Sequence, residues 1–104
     1  MTEHRIQFEW DYEKEKINIV RHKLNLVDAC HAFSDIYQLN IFDKGHSDDE
    51  DRWILIGEIP IMKIVVVVHA YRQPHGGEDA RIRIISARKG TKKERADYFA
   101  RRPR

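Results

Sequence analysis

The stretch Met62–Tyr71 constrains the fold most, because it contains four successive valines, Val65–Val68. A strand with one face in water alternates apolar and polar residues, and this stretch is too apolar for that pattern. We therefore expect a central strand of a sheet that is covered on both faces. No run of about 18 apolar residues occurs in the chain, so no membrane-spanning helix is expected.

Shorter patterns on both sides of this stretch predict four more strands and three helices. The further strands are expected at Ile6–Trp10, Tyr37–Phe42, Trp53–Ile59 and Arg81–Ala87. The helices are expected from Tyr12 to about Lys23 behind Asp11, behind Asn25, and behind the capping box Thr91–Glu94. Short connections favour a mostly antiparallel sheet of about five strands, with two N-terminal helices and one C-terminal helix. The expected fold class is α+β.

The length of 104 residues fits one domain, which we expect to span residues 1–104. The first residues contain no apolar signal-peptide core, which predicts a cytoplasmic protein. The single cysteine, Cys30, has no second cysteine with which to form a disulfide. It lies on an apolar helical stripe, so we expect a buried, inert thiol rather than a nucleophile.

The charges are distributed unevenly along the chain. Residues 80–104 carry a net charge of +8 and residues 1–79 carry −6, which gives the modest total of +2. Positive charge on an ordered strand and helix suggests a polyanionic partner such as a nucleic acid. A solvated basic helix face explains the same composition equally well.

The last two strands are separated by a turn at Gly76–Gly77, which suggests a polar cluster on their shared face. If Tyr71 pairs with Arg81, then His69 lies opposite Arg83, and two guanidinium groups and an imidazole can meet a phosphate. A slip of one residue would separate these side chains. Charged residues that protect a sheet edge against aggregation are the structural alternative.

A second anion site is suggested where the last strand runs into the C-terminal helix. Arg88 and Lys89 stand just before this helix, whose first backbone amides can receive an anion. Tyr98 lies about two turns further along the helix, where it faces either the core or the ligand.

The sequence does not support a metal site. The six histidines show no His-x-His or His-x-x-x-His spacing, and one cysteine cannot supply a zinc set. The acidic loop His46–Asp51 lacks the glycine and the spacing of a calcium loop, so a solvated loop is expected. No cofactor-binding motif is present either.

Residues along nearly the whole chain resemble the BrnT family, the toxin half of bacterial type II toxin–antitoxin pairs. The first part of the pattern is Phe8–Asp11 followed by Lys14, Asn18 and His22, and then Ala29, Ala32, Phe33 and Asp35. The second part is His46, Glu50, Arg52, Ile56–Gly57, His69, Arg83–Arg88, Glu94 and Tyr98. The sequence departs from the pattern at Tyr12, Lys23 and Gly90, and the loop Gln73–Ala80 is long.

The resemblance implies a compact RelE-like fold and a metal-independent endoribonuclease that inhibits translation and arrests growth. It also implies an antitoxin, similar to BrnA, that forms a hetero-oligomer with the toxin and supplies the contact with operator DNA. No cofactor is implied. A module that binds a nucleic acid or the ribosome without cleavage is the alternative.

RNA carries its own nucleophile, the 2′-hydroxyl, so cleavage requires proton transfer and stabilisation of the phosphate. Residue types and family positions assign the scissile phosphate to Arg83 and Arg88, with Arg81 and Lys89 as further phosphate contacts.

Four residues are candidates for the two proton transfers. His69 or Lys14 is expected to act as the base, and His22 or Tyr98 is expected to act as the acid or to orient the substrate. The sequence leaves both choices open.

Overall fold

The computed structural model of the chain describes residues 5–46 and 50–102, without the side chain of His46. The strands are β1 (Ile6–Glu9), β2 (Leu39–Phe42), β3 (Trp53–Ile59), β4 (Lys63–Arg72) and β5 (Ala80–Lys89). The helices are α1 (Tyr12–His22), α2 (Leu26–Ala29) and α3 (Lys92–Arg101), with 3₁₀ helices at Cys30–Ser34 and Lys44–His46. The α+β class is confirmed.

The strands form one sheet in the order β1-β5-β4-β3-β2, so the valine-rich β4 is central, as predicted. The pairs β2–β3, β3–β4 and β4–β5 are antiparallel. The sheet is therefore mostly antiparallel, as expected, and the exception is β1, which lies parallel to β5 with Ile6 beside Ala80 and Glu9 beside Arg83. This pairing joins the two ends of the chain, and local sequence patterns carry no information about it.

Both faces of β4 are buried, which explains its unbroken apolar sequence. One face belongs to the α2 core, which comprises Leu24, Leu26, Ala29, Ala32, Leu55, Ile59, Val65, Val67, Ile82, Ile84 and Ala87. The other face belongs to the α3 core, which comprises Ile56, Ile64, Val66 and Tyr98. The α3 core is the smaller of the two.

Gly57 permits the close approach of the first 3₁₀ helix to β3. A Cβ atom at this position would lie 3.0 Å from the carbonyl oxygen of Ala32 and 3.2 Å from its Cβ. Such contacts are shorter than ordinary van der Waals separations, so a larger residue would push the helix off the sheet. The small size of Gly57 and Ala32 therefore allows the 3₁₀ helix to pack closely on β3.

The predicted helix caps are all present. Asp11 accepts hydrogen bonds from the amides of Glu13 and Lys14, and Asn25 accepts one from Asp28. Thr91 and Glu94 form the reciprocal capping box at the start of α3. Helix α1 ends at Lys23, whose φ of 56° is left-handed. This conformation favours glycine, and Lys23 adopts it as the C-terminal cap of α1.

Asn18 is the buried polar link between α1 and the sheet. Its amide nitrogen donates to the carbonyl oxygen of Leu24 at 2.9 Å, and its Oδ1 accepts from the backbone amide of Ala87 at 3.0 Å. Strand β1 ends beside Arg83, so beyond that point the outer edge of β5 has no strand partner. Asn18 accepts the hydrogen bond of one backbone amide on this edge, that of Ala87, and so fixes α1 against β5.

The register of the β4–β5 pair differs from the predicted one by one residue. Tyr71 pairs with Ile82 and His69 pairs with Ile84, so the predicted cluster of His69 with Arg81 and Arg83 does not form. A bulge at Ile85, between Ile84 and Ser86, shifts the register again. The hydrophobic alternation decides this outcome, because Ile82 and Ile84 must face the α2 core.

His69 is fully buried in consequence of this register. Its ring lies edge-on to Phe33 at 4.8 Å and to Tyr71 at 5.3 Å, and its Nδ1 donates to the carbonyl oxygen of Val67. Among the described residues its Nε2 has no hydrogen-bond partner. Burial lowers the pKa of His69, so the neutral imidazole is the stable form in the folded protein.

We expect Asn18→Ala to destabilise the protein strongly, because it leaves the Leu24 carbonyl and the Ala87 amide without partners. Two buried, unsatisfied groups cost about 2–5 kcal/mol of unfolding free energy together. Urea unfolding followed by circular dichroism measures the loss. The control is Lys16→Ala on the exposed side of α1, which should change stability by less than about 0.5 kcal/mol. Equal stability of the two variants would contradict the role of Asn18.

We expect His69 to make stability fall as the pH drops. The folded pKa lies below that of the unfolded chain, so the unfolded state binds the proton first as pH falls through about 6.5. The loss is at most about 1.4 kcal/mol per pH unit. His69→Phe keeps the aromatic packing and should reduce the fall between pH 7 and pH 5, measured by urea unfolding. The exposed control His31→Phe should retain the parental pH dependence, and a His69→Phe variant that also retains it would contradict this account.

Candidate functional site

A cleft of about 290 Å³ lies between α1 and the outer edge of β5. Its lining is basic and polar for the most part, and three segments of the chain contribute to it. The lining residues are Lys14, Ile17, Asn18, Arg21, His22, Arg52, Ile85 and Ser86. Three basic side chains, one imidazole and one hydroxyl around a cleft of this size suit an anionic ligand.

Helix α1 supplies most of the polar wall. Lys14, Asn18 and His22 recur every four residues and therefore share one face of the helix. Asn18 is buried at the centre of this face and is held by β5, whereas Lys14 is exposed and His22 is half-buried. The buried amide therefore sets the position of the two titratable side chains on either side of it.

The bulge in β5 forms the opposite wall. Ile84 and Ala87 both belong to the α2 core although they are three residues apart, so the strand changes its alternation between them. The two intervening residues, Ile85 and Ser86, both line the cleft. Bulges of this kind redirect side chains beside functional sites.

Arg21 and Arg52 line the cleft but were not predicted as site residues. Arg21 follows Asn18 by three positions on α1, a spacing that places the two on neighbouring parts of the helix surface. The spacing from Asn18 is the sequence signal by which Arg21 could have been identified. Arg52 precedes β3, and its carbonyl oxygen accepts the amide of Asp43 at 2.8 Å. Only the folded sheet brings Arg52 to a helix so distant in sequence.

Arg83 lies close to the cleft without lining it. It pairs with Ala70 on β4 and with Glu9 on β1, and it points away from the α2 core. It is half-buried and makes no ion pair within the described part of the chain. Ser86 is three residues further along β5, about 10 Å at the usual strand rise.

Arg81 is occupied by protein partners. Its guanidinium forms two hydrogen bonds to Glu78, lies 3.7 Å from Glu9 and contacts the ring of His75. These contacts hold the Gln73–Ala80 loop against β1 and β5. The predicted role of Arg81 in phosphate binding is therefore not favoured by its position in the structure.

Arg88 is also engaged by a carboxylate. Its two terminal nitrogens donate to the two oxygens of Glu94 at 2.7 and 2.9 Å, and this pairing lowers the pKa of Glu94 to about 2. Arg83 and Arg88 share a sheet face but lie five residues apart, about 16 Å along the strand. The expectation that they hold one phosphate together does not fit this separation. Lys89 is exposed at the far end of β5.

Tyr98 is buried in the α3 core with its hydroxyl turned inward. The hydroxyl donates to Asp35, which also accepts the backbone amide of Glu58. Burial and the hydrogen bond to Asp35 raise the pKa of Tyr98. Tyr98 and His69, two of the four candidates for proton transfer, are therefore both buried away from a substrate.

The remaining expectations concern metals, membranes and the thiol. Residues 5–46 and 50–102 contain no group of three or more His, Cys, Asp or Glu side chains suited to a metal ion. Part of the acidic loop, residues 47–49, lies outside the described residues. No helix in the described ranges has the length and apolarity needed to cross a bilayer. Burial raises the pKa of Cys30 to about 11, as expected of an inert thiol.

Comparisons with known proteins connect this site to a family. A comparison with curated protein sequences gives no match. Among solved structures, the chain is similar to the ribonuclease toxin BrnT of Brucella abortus, with 24% sequence identity and a TM-score of 0.55. The similarity covers 85% of this chain and 99% of that chain, and it shows that the fold is shared.

The family described as the ribonuclease toxin BrnT of type II toxin–antitoxin systems matches residues 10–94. The match includes every residue that lines the cleft. The chain belongs to the BrnT family of ribonuclease toxins of type II toxin–antitoxin systems.

Proposed function

We propose that this protein is a metal-independent endoribonuclease whose active site is the cleft between α1 and β5. The observation that carries the proposal is the convergence of Lys14, Arg21, His22 and Arg52 around one cleft of the folded chain. Cleavage of RNA would inhibit translation and arrest growth. The protein would act in the cytoplasm, and its fold would be RelE-like.

The reaction needs no metal because the substrate supplies the nucleophile. A base removes the proton of the 2′-hydroxyl, and the oxygen attacks the adjacent phosphorus. The bond from phosphorus to the 5′-oxygen breaks, and an acid protonates that oxygen as it leaves. The products are a 2′,3′-cyclic phosphate and a 5′-hydroxyl. Each proton transfer contributes about 10²–10⁴-fold to the rate.

Burial excludes two of the four candidate residues for the two proton transfers. His69 and Tyr98 are both fully buried, whereas Lys14 and His22 line the cleft. We therefore propose Lys14 as the base and His22 as the acid. Histidine suits proton exchange near neutral pH. A lysine acts as a base in its neutral amine form, which removal of water by a bound substrate favours.

The choice of phosphate contacts also changes, because it depends on which cations line the cleft or lie near it. Arg21 and Arg52 line the cleft, and Arg83 stands about 10 Å away along β5. We propose that Arg21 and Arg52 stabilise the scissile phosphate and that Arg83 contacts a neighbouring phosphate. Positioned cationic donors of this kind contribute about 10²–10³-fold each. Ser86 can orient either of these groups through its hydroxyl.

A type II toxin has an antitoxin partner, and the identity of that partner is part of the proposal. We propose a BrnA-like protein that forms a hetero-oligomer with this chain. We propose that this antitoxin supplies the contact with operator DNA.

One observation favours binding without cleavage as a second candidate function. Lys14 and His22 are eight residues apart on α1, which places their backbones about 12 Å apart along the helix axis. That separation is wider than a single phosphodiester, so side chains that do not converge on RNA would leave the basic cleft as a docking site alone. Such a module would show salt-sensitive RNA binding without cleavage.

We expect Lys14→Ala and His22→Ala each to slow RNA cleavage by about 100-fold or more, because each removes a proton-transfer group. The measurement is single-turnover cleavage of end-labelled RNA by purified protein. Lys16→Ala and His31→Ala are matched controls outside the cleft and should cleave at the parental rate. Parental rates for both cleft variants would contradict the proposed active site.

We expect cleavage to continue in excess EDTA and to stop when the nucleotide before the cut carries a 2′-O-methyl group. The first result follows from a reaction without a metal, and the second from the loss of the nucleophile. Analysis of the ends should show 5′-hydroxyl products. Loss of activity in EDTA, with recovery on adding a divalent cation, would instead support a metal-assisted hydrolase.

A further inference from the structure

The outward side of α1 carries an apolar shelf that the fold does not cover. Ile17 is 54% exposed and Val20 is 75% exposed, although both are branched aliphatic residues on an ordered helix. They line a shallow groove of about 330 Å³ together with Lys16 and Arg21. We call this surface the α1 shelf.

The α1 shelf is continuous with the cleft. Ile17 and Arg21 line both, whereas Lys16 and Val20 belong to the α1 shelf alone. A molecule that sits on Val20 and reaches across Ile17 therefore meets Arg21 at the mouth of the cleft. Occupation of the α1 shelf and entry of RNA into the cleft would compete for the same two residues.

The chemistry of the α1 shelf favours a protein segment over RNA. Nucleobases bind by stacking on aromatic rings, whereas the apolar residues here are aliphatic and suit the apolar side chains of a protein. Lys16 and Arg21 place positive charge beside the aliphatic residues, which favours an acidic segment. Arg21 makes no ion pair within the described ranges, so its guanidinium is available to a carboxylate.

We propose that the antitoxin docks on the α1 shelf through an acidic segment that places an apolar side chain against Ile17 and Val20. Its carboxylates would pair with Arg21 and with the cations at the mouth of the cleft. Neutralisation then follows from exclusion of RNA. The inference rests on the proposed function in one respect, namely that the cleft is where RNA is cleaved.

Val20 allows a direct test because it lies outside the cleft. We expect Val20→Gln to weaken binding of the antitoxin about tenfold or more, since it removes an exposed apolar contact at the centre of the interface. Val20→Glu should weaken it further, because the new carboxylate repels an acidic partner. Isothermal titration calorimetry with the purified product of the neighbouring antitoxin gene measures both affinities.

Val27 provides the matched control, because it is an equally aliphatic residue that is 54% exposed on α2 and does not line the α1 shelf. Val27→Gln and Val27→Glu should bind the antitoxin like the parent. Without antitoxin, Val20→Gln should cleave RNA at the parental rate, and circular dichroism should show an unchanged fold.

Two results would overturn the proposal. Parental antitoxin affinity of Val20→Gln and Val20→Glu would place the antitoxin elsewhere on the toxin. Slower RNA cleavage by Val20→Gln with unchanged antitoxin affinity would assign the α1 shelf to the substrate. If the parent protein cleaves no RNA, the proposed catalytic function fails, but the calorimetric comparison still decides where the antitoxin binds.

Discussion

The buried amide of Asn18 is the contact on which the arrangement of the site depends. It joins the turn after α1 to the edge of β5 that β1 leaves unpaired. Both hydrogen bonds are made inside the protein, so α1 has little freedom to move relative to the sheet. The width of the cleft, and the positions of Lys14 and His22 on its wall, follow from this contact.

Net charge is a poor guide to where an anion binds in this protein. Residues 80–104 are strongly basic, but several of their arginines are neutralised by carboxylates of the same chain. Arg81 pairs with Glu78, Arg88 with Glu94, and Arg102 with Glu58. These pairs hold the long loop and α3 in place. The cations around the cleft come instead from α1 and from the residue before β3, within residues 1–79, whose net charge is −6.

Many of the residues that carry the family resemblance fall into two overlapping groups in the structure. One group builds the scaffold through close packing and buried hydrogen bonds: Asn18, Ala29, Ala32, Asp35, Gly57, His69, Arg88, Glu94 and Tyr98. The other group lines the cleft and shares Asn18 with the first: Lys14, Asn18, His22, Arg52, Ile85 and Ser86. A shared position is therefore not by itself a sign of catalysis, as the buried His69 and Tyr98 demonstrate.

The sequence by itself determined the features that depend on neighbouring residues. The central strand, the caps at Asp11, Asn25 and Thr91, and the stripe of Lys14 and His22 on α1 were all predictable, because periodicity and capping act within a few residues. Only the tertiary structure decided the parallel pairing of β1 with β5, the bulge at Ile85 and the arrival of Arg52 at the cleft. These features arise from contacts between distant segments, where burial of the whole sheet outweighs any local preference.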